Sequence, residues 1–75
     1  MFIVIELQKT ENGLAHLETV HNTAEEAESK YHQILMAAAV SSVPIHSAFI
    51  VAENGELIRT EKYVHTQQEQ EEQEP

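Results

Sequence analysis

The chain has 75 residues, no cysteine and a formal net charge of −9, which leaves room for one small domain and excludes disulfide cross-links. All 13 acidic residues are Glu, set against four cations, Lys9, Lys30, Arg59 and Lys62, too few to neutralise a nucleic-acid backbone. Domains this short sit near the limit of independent stability. Without disulfides or thiolate ligands, the remaining remedy is a partner subunit, most simply a second copy in a dimer.

The opening run FIVIEL (residues 2–7) is interrupted by Glu6 and too short to cross a bilayer. Nothing in the chain resembles a targeting segment, so the expectation is a cytoplasmic protein without a membrane partner. Residues 2–21, FIVIELQKTENGLAHLETVH, read as a hairpin turning at Asn12-Gly13, a dipeptide suited to tight turns. A strict two-residue turn there sets Leu7 opposite Glu18. A three-residue turn with a bulge sets Leu7 opposite Leu17, and the apolar match favours the bulge.

A helix follows. Thr23 and Glu26 form a capping box, and Glu25, Glu26 and Glu28 suit the positive end of the helix dipole. Ala24, Ala27, Tyr31, Ile34, Leu35 and Ala38 recur at helical spacing as one stripe. The end falls near Ser41-Ser42, because Val43 precedes Pro44 and avoids helical angles. The two serines are expected to close the helix by bonding back to its free carbonyls.

Residues 49–65, FIVAENGELIRTEKYVH, echo the first hairpin in FIV, ENG and a closing VH. A two-residue turn at Asn54-Gly55 sets Ala52 opposite Leu57, Val51 opposite Ile58 and Phe49 opposite Thr60. One face then carries Ile45, Ser47, Phe49, Val51, Ile58 and Val64, the expected core face. The other carries His46, Ala48, Ile50, Leu57, Arg59, Glu61 and Tyr63, the expected outer face. The fold class is therefore α+β in the order ββαββ, a four-stranded antiparallel sheet with one helix across one face. The domain spans residues 1–66. The segment 67–75, QEQEEQEP preceded by a further Gln, has no apolar residue to offset ordering, and reads as a disordered acidic tail.

Within YHQILMAAAVSSVPIH (residues 31–46) the helix loses its polar face. On a helical wheel Met36 and Val40, with His32 beside them, point away from the sheet-facing stripe. The reading is a self-complementary contact around Met36 and Val40, with the outer sheet face of Ile50, Leu57 and Tyr63 as the alternative partner surface.

Chemistry has thinner support. The histidines are spaced by 5, 11, 14 and 19 residues, and none gives the i, i+4 pair that sets two imidazoles on one helical face. His46 opposite Tyr63, with His65 one step along, leaves a metal or ligand module as a weaker option. Ser41, Ser42 and Ser47 sit in no nucleophile elbow, and both glycines are spent on turns. The expectation is a non-enzymatic protein with no catalytic residue and no cofactor. A second reading is an acidic inhibitor, whose Glu25, Glu26 and Glu28, together with the acidic tail, mimic phosphates in the nucleic-acid site of a host protein.

The stretch TAEEAESKYHQILMAAAVSSVPIHSAFIV resembles a recurrent pattern, YHxxLxxAAxS followed by PxHxA, in small proteins of prophages and mobile elements of gut Firmicutes. An opening strand like FIVIELQ and a closing segment like EKYVH extend the resemblance over residues 2–65. His32, Ala38, Ser41 and His46 match recurrent positions of the pattern, with no role attached. The resemblance implies a phage-related interaction or assembly protein, made alongside virion or lysis components, with itself, a phage protein or a host protein as partner.

Overall fold

In a computed structural model, residues 1–65 are described; the expected tail at 67–75 lies outside them. Two hairpins flank a helix: β1 (Phe2–Thr10), β2 (Gly13–His21), α1 (Ala24–Val40), β3 (Ile45–Ala52) and β4 (Leu57–Val64). The four strands form one antiparallel sheet in the order β2-β1-β3-β4. The first strands of the two hairpins therefore pair at the centre, and α1 lies across one face. The α+β, ββαββ architecture expected from the sequence is what the chain adopts.

The helix starts as its cap dictates. Thr23 is extended (φ −125°, ψ 158°) and its hydroxyl accepts the Glu26 N–H at 3.2 Å, satisfying one of the donors a helix start leaves free. Ala27, Tyr31, Ile34 and Ala38 are buried against the sheet and Leu35 is half-buried, as the periodicity predicts. Ala24 is exposed instead, because it sits in the first turn, beyond the stripe's contact with the sheet.

The turns differ from the sequence reading in an instructive way. The first hairpin pairs Thr10 with Gly13 and Leu7 with His16, so its two-residue link is Glu11-Asn12, and neither Glu18 nor Leu17 faces Leu7. Asn12 keeps a negative φ, and only Gly13 takes a positive one (138°). The Thr10 side chain fixes this turn by accepting the Asn12 N–H at 3.1 Å and donating to the Gly13 carbonyl at 3.2 Å.

The bulge belongs to the second hairpin. There Gly55 (φ 93°) donates to the Ala52 carbonyl, Ala52 donates to the Glu56 carbonyl, and Asn54 Oδ1 accepts the Glu56 N–H. Phe49 faces Thr60 as expected, but the register shifts beyond Ile50 so that Val51 faces Leu57, with Ile58 as the extra residue.

The largest correction concerns which face of the sheet is inside. The helix packs on Val4, Ala48 and Ile50, the last only 1% exposed, with Phe2 half-buried beside them. The row Ile45, Ser47, Phe49 and Val51 therefore faces away from α1, the reverse of the expected assignment. Size explains the inversion. Ala27, Ala38 and Ala48 are all 0% exposed; small residues on the helix and on the sheet under it let the two elements approach closely, whereas the bulky row would hold a helix off.

Candidate functional site

The pairing lays out the outer face as four rows across β2, β1, β3 and β4. The rows are Val20-Ile3-Val51-Leu57, Glu18-Ile5-Phe49-Thr60, His16-Leu7-Ser47-Lys62 and Leu14-Lys9-Ile45-Val64. Most of these side chains are aliphatic or aromatic. The central ones, Ile3, Ile5, Leu7, Phe49 and Val51, shield one another only partly. The edge residues Leu14, Val20, Leu57 and Val64 are exposed. No described element lies over this face, which leaves a contiguous, mostly apolar surface uncovered among the described residues.

The interface residues read from the sequence divide accordingly. Met36 (69% exposed) and Val40 (85%) stand on the far side of α1 with His32 also exposed, so the helix wheel placed them correctly. Leu57 is exposed beside Val51 on the outer sheet face. Tyr63 is at the β4 edge, opposite His46 on the helix side of the sheet. Ile50 and His46 are not surface residues; both are buried beneath α1. Their removal from the surface follows directly from the inverted face.

Sequence reasoning missed Ile3, Ile5 and Leu7 and assigned Phe49 and Val51 to the core. A signal for the correct reading was present. FIVI and AFIVA are continuous apolar runs, not alternating ones, and such runs mark strands with two faces to cover. One helix covers one face.

Beneath the helix end lies a polar chain. His46 Nε2 meets Glu6 Oε2 at 2.7 Å, and His46 Nδ1 meets the Ser41 hydroxyl at 3.2 Å. Gln8 Nε2 donates to the same Glu6 oxygen at 3.1 Å, and Ser41 Oγ accepts the Val43 N–H at 3.2 Å. A neutral imidazole satisfies every member: Nε2–H donates to the carboxylate, and the Ser41 hydroxyl donates to Nδ1. The hydroxyl thus does not cap the helix as the sequence suggested; the backbone N–H of Ser41 does, donating to the Ala38 carbonyl at 3.3 Å. His65 Nε2 also donates to that carbonyl at 2.8 Å.

Ser41, His46 and Glu6 are the residue types of a nucleophilic triad, but their setting opposes that chemistry. Ser41 Oγ already accepts a backbone donor, and it sits at the helix C-terminus, where unpaired carbonyls repel the oxyanion of acyl transfer. The arrangement ties β1, β3 and the end of α1 together. It also engages both nitrogens of His46, while His65 is turned to Ala38 and stacks on Tyr63 at 6.1 Å between ring centres. Among the described residues no cluster of three or more His, Asp or Glu side chains converges as metal ligands do, and no helix is long and apolar enough to cross a membrane.

Comparison of the chain with protein-family models, with curated proteins and with solved structures finds no match in any of the three.

Proposed function

We propose that this chain is a non-enzymatic interaction and assembly protein, of the phage or mobile-element kind that its sequence resembles, and that it works through the outer face of its sheet. One observation carries the reading: β1 and β3 carry large apolar side chains on both faces, and α1 covers only one of them. The core it does cover is small. Val4, Tyr31, Ile34 and Ile50 are its large side chains, joined by three buried alanines, and a domain of this size gains from burying more. Met36 and Val40 form a second, smaller apolar patch on the opposite side of the molecule.

The test is a photo-cross-linking side chain placed at Phe49, and separately at Glu25 on the exposed start of α1, in cells that carry the gene. The reading expects a discrete adduct from Phe49 and none from Glu25. Absence of any adduct from Phe49 overturns it. An adduct from Glu25 alone, to a nucleic-acid-binding protein, replaces it with the acidic-inhibitor reading.

A further inference from the structure

We infer that the occupant of the outer sheet face is a second copy of this chain, docked sheet on sheet about a two-fold axis parallel to the strands; the inference rests on the interaction reading above. Three observations converge on it.

The first is charge. The chain as a whole carries −9, and two acidic molecules approach each other only where that charge is absent. Across the four rows of the outer face the charged residues are Glu18, Lys9 and Lys62. Of the nine acidic residues and four cations within residues 1–65, one acid and two cations thus lie here, a balance of +1 if His16 is neutral. The other acids of the described residues sit on the helix side of the sheet (Glu6, Glu61), on α1 and in the turns. Among the described residues the outer face carries no excess of negative charge, so two copies can meet there without that repulsion.

The second is area. Four strands about 4.8 Å apart and four rows about 6.8 Å apart make a face of about 19 by 27 Å, roughly 500 Å² as a flat rectangle. Two copies then remove roughly 1,000 Å² before the relief of the side chains is counted, which meets the lower bound for a specific interface. Sheets packed this way lie about 10 Å apart with strands nearly aligned.

The third is shape, and it selects the axis. A two-fold axis along the strands sets each row against its own copy. The wholly apolar row Val20-Ile3-Val51-Leu57 then meets itself, and Ile5 of one copy lies over Phe49 of the other. Leu7 lies over Ser47, whose short side chain is flanked by an open hollow of about 470 Å³ lined also by Phe49, Thr60, Glu61 and Lys62. Glu18 arrives beside Thr60, one row from Lys62, and Lys9 stays at the open end of the sheet, where its ammonium reaches water. An axis across the strands would instead press Lys9 onto Ile3 and desolvate it.

The experiment is isotope-filtered NMR on the full chain at high concentration, in an equal mixture of labelled and unlabelled protein. Expected are intermolecular contacts from the Ile5 methyls to the Phe49 ring and from the Leu7 methyls to the Ser47 β-protons. Intermolecular contacts that join Ile5 to Leu7, or that involve Met36 and Val40 alone, overturn the inference. A strictly monomeric sample also overturns it. In that case a Phe49 adduct of different mass in the cross-linking experiment shows that the face still docks another protein, so the two failures are distinguishable.

Discussion

Replacing Ile50 by Val tests which face of the sheet is the inside. Ile50 is 1% exposed and packs with Val4, Ala48, Tyr31 and Ile34, so loss of one methylene leaves a gap that the close-packed alanines around it cannot fill. Such a change costs about 0.5–1.5 kcal/mol, and Ile50→Ala about 2–5 kcal/mol. A domain of this size holds on the order of 3–10 kcal/mol in total, so the valine variant stays folded while the alanine variant loses a large part of that margin. Urea unfolding followed by circular dichroism reads the loss. With a slope near the low end for small proteins, about 1 kcal/mol per molar, the midpoint falls by about 0.5–1.5 M. Phe49→Ala behaves differently. Its cost is small in dilute solution and grows with protein concentration, because what it removes is contact with the second copy. If Ile50→Val costs nothing, or if Phe49→Ala in dilute solution costs as much as Ile50→Ala, the helix lies on the opposite face and the reasoning fails.

Other outcomes follow from the same structure. Glu6→Ala leaves the buried His46 Nε2–H without its 2.7 Å partner, which costs about 1–3 kcal/mol and lowers the melting temperature by about 4–8 °C for each kcal/mol. The double variant Glu6→Leu, His46→Leu recovers part of that loss, since neither polar group is then stranded; no recovery would mean that the pair contributes more than mutual satisfaction. Burial, reinforced by the Glu61 carboxylate, raises the Tyr31 phenol above its ordinary value. The folded state therefore favours the protonated ring, and its stabilisation is complete below the unfolded value of about 10 and lost as pH rises through the folded value. Absorbance titration should show a late tyrosinate component that Tyr31→Phe removes; an unchanged curve contradicts this. At Gly13 and Gly55 an added Cβ meets nothing within 4 Å, so alanine there costs only backbone strain. For Gly55 (φ 93°) that is about 1–2 kcal/mol. Gly13→Ala should cost more, because 138° lies outside the left-handed well; equal melts would contradict it.

How much of this was legible in the chain differs by element. The helix was legible in its start, its span and its main buried stripe, because capping and 3.6-residue periodicity are local signals. Thr23, Glu26 and Ala27-Tyr31-Ile34-Ala38 settle them without reference to the sheet, whereas Ala24 and the role of the Ser41 hydroxyl were misread. The hairpins were legible in existence but not in register. Asn12-Gly13 and Asn54-Gly55 look alike, yet neither Asn takes a positive φ, and the Thr10 hydroxyl fixes the first turn one residue early. The inner face was misread for a physical reason. Counting bulk favours Phe49, Val51 and Ile45, whereas a helix that must come close selects Ala48 between Ile50 and a hydrogen-bonded His46. That His46 finds Glu6 forty residues away, on a neighbouring strand, is not a local property at all. The outer face was legible in principle, from the continuous apolar runs FIVI and AFIVA in two strands and a single helix to cover them.

Sedimentation equilibrium of the full chain, alongside Phe49→Lys, addresses the central claim most directly. Twice 8.5 kDa, about 17 kDa, is the mass expected of the native chain at high concentration, with the lysine variant folded and reduced to the single-chain mass. A native chain that stays at 8.5 kDa throughout, or a lysine variant that pairs as tightly as the parent, contradicts a second copy on the outer sheet face.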